Sequence, residues 1–133
     1  MPIHLIVLTY LLSSSTFIWA QSEKEVMSVV NQLFVAMETN DGKLAKSLFM
    51  EAATLQTIYK NKDGNTALST ISVSKLAEAF AAPKELTCSE PIWNEKVHID
   101  GDYAFVWVDY AFYLGDTFFH CGVDAFQLIL CQV

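Results

Sequence analysis

His120 and Asp124 are the residues of this 133-residue chain best suited to chemistry, and they stand four positions apart in FFHCGVDAFQL, residues 118–128. Phe118, His120, Gly122, Asp124 and Phe126 fall on alternate positions, so a β-strand places all five on one face. A histidine and a carboxylate among phenylalanines need compensation. A polar group buried without a partner costs roughly 1–3 kcal/mol, so a side chain, a water or a ligand has to satisfy it. Four residues at ~3.3 Å each put the two groups about 13 Å apart along the strand, too far for a dyad.

Asp109 is the nearer candidate partner. If Gly115 and Asp116 form a two-residue turn, Leu114 pairs with Thr117, and the register brings Ala111 opposite His120, Asp109 opposite Gly122, Trp107 opposite Asp124 and Phe105 opposite Phe126. Asp109 then lies diagonally across from His120, within about 7–8 Å between Cα atoms. Gly122 leaves a slot beside the pair. A carboxylate there favours the imidazolium, and an Asp109–His120 pair is a candidate general acid and base for proton abstraction beside a carbonyl. The alternative is that the two only satisfy each other on a polar sheet face. Phe105, Trp107, Tyr113, Phe118 and Phe126 are candidates for stacking a flat heteroaromatic ligand, or else plain core. His98, His120, Asp109, Asp124 and Glu95 have no recognised metal-ligand spacing, and no motif implies a cofactor, a phosphate loop or a Ser or Cys nucleophile.

The elements that must carry these residues follow in order. EKEVMSVVNQLFVAMETND, residues 23–41, repeats Val26, Val29, Val30, Leu33, Phe34 and Met37 with helical period. Asp41 can cap a second short helix through Leu44, Leu48 and Phe49. ATLQTIYKN, residues 53–61, alternates as a strand before the turn KNKDGN. VSKLAEAFA, residues 73–81, predicts a third helix capped by Ser72 or Ser74. Residues 89–99, 102–114 and 117–131 then predict a three-strand meander, turning at Asp100 and Gly101 and again at Gly115 and Asp116. Helices first and a meander afterwards imply an α+β domain, with helices packed on one face of a curved antiparallel sheet. Val106, Val108, Tyr110, Phe112, Phe119, Cys121, Val123 and Ala125 form the reverse, apolar face in the expected register, joined by Trp93, Val97 and Ile99.

The N-terminus and the charge bound the function classes. IHLIVLTYLLSSSTFIWA, residues 3–20, is an apolar run closed by small polar residues and Ala20, which predicts a secretory signal peptide over residues 1–20. A membrane anchor is the alternative, but the run is broken by serines and is short of the ~20 residues a span needs. The domain is then 21–133. Residues 1–20 hold no charged side chain, so the domain keeps the net charge of −7, which argues against nucleic acid and anionic membrane as partners. Export permits disulfides, but the expected register keeps Cys88, Cys121 and Cys131 beyond the ~7 Å a bridge allows.

The order and spacing of FVAMETNDGKLAKSLFMEAATLQT, IDGDYAFVWVDYAFY and HCGVDAFQL resemble the nuclear transport factor 2-like (SnoaL-like) superfamily, over about residues 23–128. The resemblance is closest to a family of small secreted bacterial proteins labelled as lumazine-binding. It implies a cone-shaped fold whose concave sheet face meets the helices and a pocket, and whose convex face often meets a second subunit. It also implies that Asp124 faces the pocket. Members of the family continue past HCGVDAFQL with a Gly-Trp-Lys-Ile-like stretch and a final strand. Here the last residues are LILCQV, so the sheet is expected to lack that strand and to leave the 117–131 strand with an open edge. On this basis the aromatic and polar face, with Phe105, Trp107, Asp109, Tyr113, Phe118, His120, Asp124 and Phe126, is expected to line the concave pocket of a secreted, homodimeric small-molecule binder. The competing assignment turns the apolar face to the helices. An isomerase, cyclase or dehydratase using Asp109 and His120, and a structural dimerisation domain, are the functional alternatives.

Overall fold

The computed structural model describes residues 15–131, with side chains from residue 22 onward, so the expected signal peptide lies outside the described side chains. Its elements run α1 (Ser15–Glu38), α2 (Gly42–Ser47), β1 (Thr54–Lys60), β2 (Thr66–Ser72), α3 (Val73–Ala81), β3 (Cys88–Ser89), β4 (Ile92–Asp100), β5 (Tyr103–Leu114) and β6 (Thr117–Ile129). This is an α+β architecture with helices packed on antiparallel sheets. No helix among the described residues is long and apolar enough to cross a membrane.

Helix α1 buries two adjoining stripes. Val26, Val30 and Phe34, four residues apart, pack with Met27 onto Val106 and Val108 of β5, both fully buried, and onto Ile92, Val97, Phe126 and Leu128 of the flanking strands. Leu33 and Ala36 turn instead toward Ala45 and Phe80, joining α1 to α2 and α3. Met37 and Phe126 touch both clusters, so sheet and helices share one continuous core.

Both expected caps are present. The Asp41 carboxylate accepts from the Leu44 N–H at 2.9 Å, and the Ser72 hydroxyl accepts from the Lys75 N–H at 3.3 Å. Gly42, the first residue of α2, fits against α3 only because it has no side chain. A Cβ there would lie 2.2 Å from the Ala77 carbonyl oxygen and 2.9 Å from the Ala81 Cβ. Gly42→Ala must therefore push α2 from α3, at a cost of about 1–3 kcal/mol. A thermal melt should show Tm falling by roughly 5 °C or more; an unchanged Tm would mean the helices are not packed this closely.

Strand β2 was not expected from the sequence. It forms a hairpin with β1, Leu55 opposite Ile71, on a turn tied by Asn61, whose side-chain oxygen accepts from the Asp63 and Asn65 N–H groups. The second sheet centres on β5, flanked on one side by β3 and β4 in line and on the other by β6. Pro91, which has no N–H to donate, separates β3 from β4 where a single strand was expected. Cys88 pairs with Leu114 and Cys121 with Ala111, so β5 stands between these two cysteines, and all three cysteines are free thiols.

The register corrects the expected faces. Leu114 does pair with Thr117 across Gly115, at φ 58, and Tyr113 pairs with Phe118. Phe112, however, pairs with His120, because Phe119 is an extra residue in β6. Such a bulge flips the parity of everything beyond it. Ala111 faces Cys121, Asp109 faces Val123, Trp107 faces Ala125 and Phe105 faces Gln127. The β4–β5 turn is Gly101 and Asp102, with Asp100 opposite Tyr103, a two-residue offset that keeps Val97 and Ile99 on the face of Val106 as expected. That apolar face, expected to be the outer one, is the one that meets α1. A second bulge, between Trp93 and Lys96, moves Trp93 to the outer face.

Candidate functional site

The bulge at Phe119 splits the eight residues expected to line one pocket. Val106 and Val108 face α1, and their register partners Phe126 and Asp124 share that side, with His120 two pairs further on. Phe105, Trp107, Asp109, Tyr113 and Phe118 occupy the outer face. The expected Asp109–His120 pair is therefore absent: the extra residue in β6 puts the two side chains on opposite sides of the sheet. Asp109 finds a different partner, the Asn94 side-chain amide, which donates to Oδ2 at 2.7 Å.

On the helix side, Asp124 meets a carboxyl group that the sequence did not single out. Glu90 occupies the β3–β4 break, ahead of Pro91, and shares a hydrogen bond with Asp124. Both are half-buried. Burial first, then the negative charge of Asp124 and the hydrogen bond to it, pushes the Glu90 carboxyl up to about 8. Burial also raises Asp124, opposed by the hydrogen bond from Glu90 and by His120. Burial raises both carboxyl groups, so the pair keeps a proton that two separate carboxylates would have released.

Tyr110 lies between this pair and His120. It is opposite Gly122, and a Cβ on Gly122 would come within 3.1 Å of the Tyr110 ring. Gly122 thus makes room for the tyrosine, where the sequence had suggested a slot beside Asp109. Burial, reinforced by Asp124, Glu90 and Cys121, raises the Tyr110 hydroxyl above its usual range. That hydroxyl lies 3.4 Å from His120 Nδ1, a long contact whose donor depends on the tautomer. The imidazole stacks on Phe112, ring centroids 5.1 Å apart at 19°, with Phe119 and Tyr110 edge-on. Glu90, Asp124, Tyr110 and His120 therefore form a row of ionisable and hydrogen-bonding groups among aromatic rings. Such a row can exchange a proton within the Glu90–Asp124 pair or bind a polar group at either end.

Two surface depressions lie elsewhere. One, about 360 Å³, is lined by Glu23, Lys24, Met27, Asn31, Glu95 and Val97, and the other, about 330 Å³, by Asn94, Glu95, Lys96, Trp107 and Asp109. The four-residue row has better chemistry than either, because Glu90, Asp124 and Tyr110 are partly buried and perturb one another. Among the described residues no group of three or more His, Cys, Asp or Glu side chains is placed to hold a metal ion. The chain matches no family model and no curated protein sequence.

Proposed function

We propose that this chain is a secreted domain of the nuclear transport factor 2-like type that binds a small molecule on the helix-facing side of its sheet, between Glu90 and His120. The half-buried Glu90–Asp124 pair carries this proposal. Two carboxyl groups sharing one proton are costly to desolvate and contribute nothing to packing that apolar residues would not. Tyr110, Phe112 and His120 provide aromatic surface for a flat heteroaromatic ligand. The order of helices and strands and the Asp124 position support the cone-shaped fold and the pocket. The apolar run before Ala20 supports export, and the exposed Phe118 and Phe119 beside the β5–β6 turn support a homodimer.

Native protein purified after export should carry a small molecule visible by mass spectrometry, and Asp124→Ala should lose it. Protein recovered without any bound small molecule, in several preparations, would count against the proposal. Proton-transfer catalysis is the alternative, favoured by one observation: two half-buried carboxyl groups, both raised by burial, stand side by side. In that case Glu90→Gln and Asp124→Asn each abolish turnover while the ligand still binds.

A further inference from the structure

The outer face of the sheet carries a second arrangement of side chains, independent of the Glu90–Asp124 row. Between Trp93 and Lys96, strand β4 has two residues, Asn94 and Glu95, where β5 has only Val108. Asn94 takes the left-handed conformation, φ 55, which asparagine tolerates better than most residues. The bulge turns the Asn94 side chain onto the face where its neighbour Trp93 already points, and there it donates to Asp109. Lys96 pairs with Trp107 on the same face. One inserted residue thus gathers an indole, a carboxylate, an amide and an ammonium around a single depression of about 330 Å³.

The geometry points to a carbohydrate-binding site here, taking the pyranose ring of a neutral sugar. Trp107 is 38% exposed, and it forms part of the depression's wall. The face of an indole is electron-rich, and the C–H-bearing face of a pyranose is its electropositive, apolar complement. Sugar hydroxyls each donate and accept. Asp109 supplies a second carboxylate oxygen as acceptor, Asn94 a carbonyl acceptor and an amide donor, and Lys96 a donor. The Asn94–Asp109 hydrogen bond fixes the orientation of both groups before a ligand arrives, which limits the ordering cost of binding. Glu95, Asp109 and the chain's net charge of −7 oppose an anion, and a neutral polyhydroxyl ligand is the class that uses the Lys96 donor together with the carboxylate and amide groups. The size fits one or two sugar rings, since small-molecule sites start near ~300 Å³.

The experiment is an NMR titration of ¹⁵N-labelled protein with methyl β-D-glucopyranoside, methyl β-D-galactopyranoside, methyl α-D-mannopyranoside and cellobiose, each to high millimolar concentration. At least one should give saturable shifts of the Trp107 indole N–H and the Asn94 side-chain amide. Trp107→Ala should abolish the remaining shift at Asn94, and Asp109→Ala should weaken binding at least about tenfold. Asp124→Ala should leave the affinity unchanged, which separates this site from the one on the helix side. No saturable shift at Trp107 with any of the four sugars would overturn the proposal, with no variant needed. Tetramethylammonium shifting Trp107 where no sugar does would overturn the assignment to a neutral ligand.

Discussion

Raising the pH from about 4.5 to about 8 is expected to destabilise this protein through Glu90, and Glu90→Gln is expected to remove most of that dependence. In the folded chain Glu90 holds its proton up to about 8, whereas an ordinary glutamate releases it near 4.5. Below the lower value both states are protonated and the contribution of this group to stability is fully present. Between the two values the unfolded chain gives up the proton and the folded chain keeps it, so the contribution shrinks as pH rises. Above about 8 the folded state carries a half-buried carboxylate beside Asp124, and the contribution is gone. Asp124, also raised by burial, acts in the same direction. Urea denaturation at about pH 5 and about pH 8.5 should give the lower unfolding free energy at the higher pH. Glu90→Gln should flatten the difference, mainly by gaining stability on the alkaline side. Asp124→Asn should flatten it only in part. It removes the charge and the charged acceptor but leaves burial, the largest cause, in place. A wild-type stability that holds level or rises across this range would show that the two carboxyl groups are not paired.

This pair also shows where the sequence stops being legible. Helix α1 is readable because Val26, Val30 and Phe34 recur at the spacing that any helix packed on a sheet requires. The caps at Asp41 and Ser72 are readable because a cap depends on a few neighbouring residues. The turn that pairs Leu114 with Thr117 is readable for the same reason. Faces are a different matter, because they depend on counting, and one extra residue reverses the count. Phe118 and Phe119 are both aromatic, so alternation alone gives no sign of which is the bulge. At Trp93 the sequence offers a faint sign, an asparagine inside a strand pattern. Glu90 was missed because a carboxylate in a strand ordinarily reads as solvent-facing. Its one cue is Pro91, which interrupts the strand and lets the preceding side chain depart from the alternation. In β2 only Ala67 and Ile71 are partly buried, which leaves too little apolar period to mark a strand.

Phe34→Ala is expected to be the most destabilising truncation in the helical layer, at about 3–5 kcal/mol. The ring is 8% exposed and meets Phe126 edge-on, centroids 6.1 Å apart at 87°. It also packs on Val106 and Val108, neither of which is accessible to solvent. Truncation leaves a cavity that its surroundings cannot fill easily. One wall is the central strand β5, held by hydrogen bonds on both sides, and the other is Phe126, which is already engaged with α2 and α3 through the second cluster. A domain of this size has a total stability of roughly 5–15 kcal/mol, so the loss is a large fraction of the whole. Urea denaturation should show the midpoint falling with little change in slope, and Phe34→Leu should recover part of the loss by refilling the site. Phe119→Ala is the control. That ring is 64% exposed at the bulge, so its removal should cost well under ~1 kcal/mol. Equal effects for the two substitutions would mean that α1 does not anchor the sheet. The consequence reaches the candidate site, because Asp124 stands two residues from Phe126 on the face that α1 covers. Loosening that cover admits water to the Glu90–Asp124 pair. Phe34→Ala should therefore also lower the pH at which Glu90 titrates, provided the variant is measured where it remains folded.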